Sequence, residues 1–317
     1  MNRRTPTEPI RKQRTIFYHS PQSADRPVEF YMHMFPEDVS LGIMPIGGRT
    51  KRPDFKITIS PANKQAQAII ATGLDRRNSA HSLAESVCDL FRTVAANLCL
   101  SDRVIYEIVY LEERETKSLI GFELERVNQS QLIKKHGQVF QRLPPDVAKE
   151  ANVSEMILLP KEDLIEFRPP KNFEKALRDV RTNLSRLDEL HLPELALRAN
   201  KENIPYDFKA HMRSMNLALV EAVKPVGWYA RGSYNQCVTS YYWIRLMLTF
   251  EEFKIELRHS MLATLNDVLK QIGQKLGFEA KIEISGIPLR IDVTDALRKL
   301  DSGGVPFTEI MNAFKLQ

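Results

Sequence analysis

The sequence predicts an α+β protein, a β-rich block followed by a mostly helical half that carries one long helix. Three observations predict it. Val104-Ile105-Tyr106-Glu107-Ile108-Val109-Tyr110 and Leu119-Ile120-Gly121-Phe122-Glu123-Leu124 read as strands, joined by a charged turn from Glu112 to Lys117. Phe250, Phe253, Leu257, Met261, Leu265, Val268, Ile272 and Leu276 recur every three or four residues, one apolar stripe over about seven turns. Between them, Pro169-Pro170 marks a change of character from strand to helix.

Taken in order, residues 1–53 form a basic, proline-punctuated arm, with Pro21, Pro27, Pro36, Pro45 and Pro53 breaking it and an edge strand at Val28–Met34. Residues 54–170 hold a helix and the β-rich block. Phe55-Lys56-Ile57-Thr58-Ile59 alternates as a half-buried strand and Pro61 stops it. A helix capped by Asn78 or Ser79 carries Leu83, Val87, Leu90, Phe91, Val94 and Leu98 on one face. Short strands follow at Val139-Phe140, Met156–Leu159 and Leu164–Phe167. Residues 171–317 are the helical part, with helices over Phe173–Leu190 and Phe208–Val223 before the long one. Gly273 and Gly277 loosen and end the long helix; a strand at Ala280–Ile284, a helix at Asp292–Leu300 and a short helix from Thr308 close the chain.

With 43% hydrophobic and 27% charged residues over 317 positions, the chain has the material for a large core and is not a disordered polymer. No apolar run reaches the roughly 20 residues that cross a bilayer, and Met1–Arg14 lacks the apolar stretch of a secretory signal. Cys88, Cys99 and Cys237 have no metal-ligand spacing, and an odd, sparse count fits a reducing compartment, so the expected location is a host cytoplasm or a virion. The net charge of +5 is concentrated in the arm, where Arg3, Arg4, Arg11, Lys12 and Arg14 face only Glu8. These five are the candidate DNA contacts, expected to hold duplex phosphates without sequence preference; a solvated terminus is the alternative.

Motifs of catalysis are absent. Gly47-Gly48-Arg49-Thr50 lacks the upstream spacing of a phosphate-binding loop, and no HExxH, GxSxG or paired CxxC occurs. None of the seven histidines has another three or four residues on, so neither a metal nor a cofactor is expected. The unusual segment is Gly227 to Arg245, which sets Trp228, Tyr229, Tyr234, Tyr241, Tyr242 and Trp243 beside Arg231 and Arg245. Such a mixture can stack on bases, anchor a protein interface, or form an aromatic core rimmed by arginines.

The order of elements resembles the portal proteins of tailed bacteriophages and prophages. Asn97-Leu-Cys-Leu-Ser-Asp-Arg-Val-Ile-Tyr-Glu-Ile-Val-Tyr110 is similar to the family's passage from an apolar helix into its β-rich wing. Leu119–Gln131 is similar to the wing hairpin, and Leu164-Ile165-Glu166-Phe167 to its closing strand. Lys281-Ile-Glu-Ile-Ser-Gly286, the helix after it and Gly304-Val-Pro-Phe-Thr-Glu309-Ile310 are similar to the family's closing element, with Thr308 where Asn is frequent and Met311 where Arg is. The resemblance implies a ring of roughly a dozen copies at one capsid vertex, through which DNA is packaged and ejected. It implies capsid, packaging-motor and head-completion proteins as partners, and no catalysis by the ring itself. A nucleic-acid-binding protein working through the arm and the aromatic segment, and an enzyme whose site assembles only in the fold, are the alternatives.

Overall fold

The computed structural model describes residues 9–18, 30–44, 55–75, 82–185, 187, 208–232, 238–287, 292–304, 306, 308–310 and 312. The chain is α+β and contains one long helix.

The β-rich block grows out of a helix, as expected. Helix α3 (Leu83–Leu100) follows α1 (Phe30–Ile43) and α2 (Lys64–Leu74). Ser82 caps α3 in a reciprocal box with Glu85, and the apolar stripe from Leu83 to Leu98 is buried. The chain then enters β3 (Val104–Glu112), which pairs antiparallel with β4 (Leu119–Val127). On its other edge β3 pairs with two separate pieces of chain: β8 (Leu164–Phe167) along Val104–Glu107, and β1 (Ile10–Arg11) at Leu111–Glu112. A second, three-stranded antiparallel sheet is made of β5 (Leu132–Lys135), β6 (Gln138–Arg142) and β7 (Met156–Leu159), with the short α4 (Pro145–Glu150) between the last two. Strand β2 (Lys56–Ser60) pairs antiparallel with β9 (Lys281–Ser285), which ties the first third of the chain to its end.

The helical half consists of α5 (Lys171–Leu184), α6 (Phe208–Val223), α7 (Ser240–Leu276) and α8 (Val293–Ser302). The stripe predicted over Phe250–Leu276 is helical throughout, and α7 starts ten residues earlier, where the Thr239 hydroxyl accepts the Tyr242 N–H. Its 37 residues span about 55 Å. Along that length α7 serves two cores. Ile244 and Leu248 pack with Val293, Ala296 and Leu300 of α8 and with Ile310. From Phe250 to Ile272 it lies in the main core with Phe35 of α1, Phe91 of α3, Phe122 of β4, Phe167 of β8 and Phe173 of α5. That core is continuous across Pro169-Pro170.

Two expectations need correction. Phe30–Met34 is not part of an edge strand: Phe30 onward is helix α1, and Met34, Phe35, Val39 and Ile43 bury one helical face, while Val28 and Glu29 lie outside the described residues. Phe30 to Phe35 is almost wholly apolar, so alternation there cannot separate strand from helix, and the later spacing of four decides. Helix α2 also stands where no element was expected, capped by Asn63, whose side chain accepts from Gln65 N–H at 3.0 Å and Ala66 N–H at 3.1 Å. Asn78 and Ser79 lie outside the described residues.

Between α6 and α7 the backbone passes so close to α7 that a Cβ on Gly227 would sit 2.3 Å from the Leu246 carbonyl oxygen, and Gly227 has φ +72. Gly137 has the same handedness (φ +75) with nothing within 4 Å. Gly137→Ala should therefore incur only the left-handed strain of about 1 kcal/mol, and Gly227→Ala clearly more, read as midpoints of urea unfolding.

Candidate functional site: the arm groove and the aromatic–arginine segment

Residues 10–18 lie across the face between the two sheets, in a groove built largely for main-chain groups. After β1, the Lys12 N–H donates to the Tyr110 carbonyl at 2.9 Å and the chain leaves the ladder. Glu107, on the central strand, is 1% exposed. Its carboxylate accepts the Arg14 N–H at 2.7 Å, the Thr15 N–H at 2.9 Å and the Thr15 hydroxyl. Gln141 of β6, 2% exposed, accepts the Ile16 N–H at 2.8 Å and donates to the Ile16 carbonyl at 2.7 Å and to Gln131 Oε1 at 3.0 Å. Tyr18 donates its hydroxyl to the Arg142 carbonyl at 3.0 Å. A buried carboxylate is tolerable only with its lone pairs occupied, and here every donor comes from the arm.

The arm's cations are paired with carboxylates of the same chain. Arg11 Nε and Nη2 meet Glu123 at 2.9 Å and Glu125 at 3.3 Å, Lys12 meets Glu112, and Arg14 meets Asp163 at 3.5 Å. The Lys12 hydrogen bond holds the Glu112 carboxyl below the ordinary carboxylate range. Asp163 also binds Lys275, in the last turn of α7, at 3.1 Å, and the Lys275 ammonium lies 4.4 Å from the Tyr110 ring centre. Arm, central strand and long helix thus meet at one carboxylate. Arg3 and Arg4 lie outside the described residues, so three of the five expected DNA contacts are placed, each against an acid of its own chain.

The aromatic segment splits between two places. Trp228 is fully buried against α1, its ring centre 5.2 Å from that of Phe35 and 6.4 Å from that of Tyr31. Its indole N–H donates to Asp38 Oδ2 at 2.9 Å. Arg231 donates from Nε to Asp38 Oδ1 and from Nη2 to Glu37, both at 2.7 Å. Those hydrogen bonds hold the guanidinium's pKa above its ordinary value. Tyr229 lies edge-on to Trp243 and Phe250 at 5.5 and 5.9 Å, and Tyr242 packs on the same core. At the start of α7, Tyr241 donates its hydroxyl to the Leu300 carbonyl at 3.4 Å and Arg245 binds Asp301 at 3.0 Å. Tyr234 lies outside the described residues. Trp228 is thus a core residue with Arg231 at its rim, whereas Tyr241 and Arg245 stay exposed beside α8.

A cleft of about 440 Å³ opens between the sheets, lined by Ile105, Leu132, Val139 and Leu164 with Arg103, Lys134, Lys161 and Glu166. Arg103 and Glu166, neighbours on the β3–β8 wall, pair at 3.2 Å. Among the described residues no group of three His, Cys, Asp or Glu could hold a metal ion, and no helix is long and apolar enough to cross a membrane. Burial pushes the Cys88 thiol up to about 11 and the Cys99 thiol further. No protein-family model matches the chain, and no curated protein matches it.

Glu107 and Gln141 were not singled out in the sequence. Glu107 had a signal: it is the one charged residue in the run Val104–Tyr110, at a position whose neighbours are buried.

Asp38→Ala removes the Trp228 partner and one of the two Arg231 partners. It should lower unfolding free energy by about 1–3 kcal/mol, the range for a hydrogen bond to a charged group, in denaturation followed by tryptophan fluorescence. Glu37→Ala, at the exposed end of the same clasp, should leave the midpoint nearly unchanged.

Proposed function

We propose that this chain is the subunit of a portal-like ring, a structural protein that sits at one vertex of a phage capsid and lets duplex DNA pass in packaging and ejection. The observation that carries the reading is the path of the chain from α3 to β8. An apolar helix feeds the β3–β4 hairpin, a small second sheet follows, and β8 returns to pair with β3 before the helical half begins. That is the succession of helix, wing hairpin and closing strand on which the resemblance rests.

The competing readings draw less support. A nucleic-acid binder needs uncommitted cations, and Arg11, Lys12 and Arg14 are each engaged by a carboxylate of the same chain. The enzyme reading predicts a deep pocket with perturbed carboxylates or histidines. Glu252, a carboxyl raised above its ordinary range by burial and then by Glu256, is on α7 and does not line the cleft between the sheets. In the ring reading the subunit performs no chemistry, its partners are its own copies with the capsid, the motor and the head-completion proteins, and its contact with DNA is sequence-independent. It belongs in the virion, or in the host cytoplasm before assembly.

A dozen copies of a 36.5-kDa chain weigh about 440 kDa. Sedimentation equilibrium of the purified protein should give a closed species of that order, and a single species at the mass of one chain would overturn the proposal.

A further inference from the structure

We infer that residues 10–18 are a peptide ligand, that the face holding them is its receptor, and that in the assembled protein each receptor takes the arm of a second copy. The head-to-tail part of this inference rests on the ring reading above. The receptor is assembled from residues far from the arm in sequence: the edge of β3 at Tyr110–Glu112, the buried Glu107 and Gln141, and the acids Glu112, Glu123, Glu125 and Asp163. It grips the arm mainly by its backbone, at the N–H groups of Lys12, Arg14, Thr15 and Ile16 and at the Ile16 carbonyl. This is the strand-addition mode of peptide recognition, in which main-chain hydrogen bonds hold the peptide and side chains select it. Selection falls to the Thr15 hydroxyl and to the match of three cations with four acids.

Every one of these contacts is the same whether the arm belongs to its own chain or to a neighbour. The choice is therefore set by reach and effective concentration and not by chemistry. Eleven residues, 19–29, separate the arm from α1, and a connection of that length spans up to about 40 Å. Arm and groove are two different, complementary surfaces on one chain, the head-to-tail relation that closes into rings. Glu107 adds a reason to close. A copy that gives its arm away leaves a buried carboxylate bare unless it receives another arm, so exchange fills every groove only when it closes, in a reciprocal pair or around a ring.

The register Arg11↔Leu111 supplies the test. Lys12 and Tyr110 form a hydrogen-bonded pair, so Arg11 and Leu111 form the closer, non-hydrogen-bonded one, within reach of a disulfide. Full-length Arg11→Cys/Leu111→Cys protein, with Cys237→Ser, is oxidised and run on a denaturing, non-reducing gel beside a mass measurement of the unoxidised sample. Exchange predicts a ladder of covalent oligomers. A second pair, Ile10→Cys with Glu112→Cys, repeats the test with Arg11 and its ion pairs intact. Internally bridged single chains from a sample that is oligomeric in solution overturn the exchange and leave the ring reading standing. Single chains from a monomeric sample overturn both. A covalent species that stops at the dimer supports the exchange and contradicts the ring.

Discussion

A helix of 37 residues with an apolar stripe along it cannot stand in water, and most of this fold is the covering that α7 requires. Helix α1, strands β4, β8 and β9, and helix α8 all lie against it. Because α7 reaches past the main core, its first turns needed a core of their own, which α8 and Ile310 provide. Strands β4 and β8 come from the β-rich block and β9 and α8 from the end of the chain, so the two halves of the sequence share one interior.

A second constraint acts on the other side of the block. A carboxylate at the centre of an apolar strand has to be satisfied, and Glu107 is satisfied by donors some 90 residues away in sequence. The groove for the arm follows from that placement, with Gln141 and Gln131 extending the polar track towards Tyr18. Asp163 then couples the two constraints, since it takes Arg14 from the arm and Lys275 from the end of α7.

Elements with an unambiguous period were legible in the sequence. Helix α3 and the stripe of α7 follow from buried residues that recur at 3–4, whereas the β3–β4 hairpin follows from two β-branched and aromatic runs about a charged turn, since β3 is buried at every position from Val104 to Tyr110. Helix α1 was not legible, since the run from Phe30 to Phe35, apolar but for His33 and followed by Pro36, carries no period of its own. The apolar residues of helix α2, many of them alanines, give no long stripe, and it is packed against α3 and β4 by the tertiary structure. The candidate site fared worse for a plain reason. Counting the charge of the arm reveals Arg11, Lys12 and Arg14 but not the acids that neutralise them, which arrive a hundred residues later. The aromatic–arginine segment is visible as composition, while its partners Glu37 and Asp38 lie in the proline-punctuated arm, where the sequence carries no helical period.

A β-rich block and a long helix share one core, and an arm lies in a groove of the same chain. The central claim is that such subunits close on themselves around a channel. Electron micrographs of the purified full-length chain test this most directly: end-on views should show closed rings of uniform copy number with a central opening wide enough for a DNA duplex. Fields of single, unringed particles at the same concentration would contradict it.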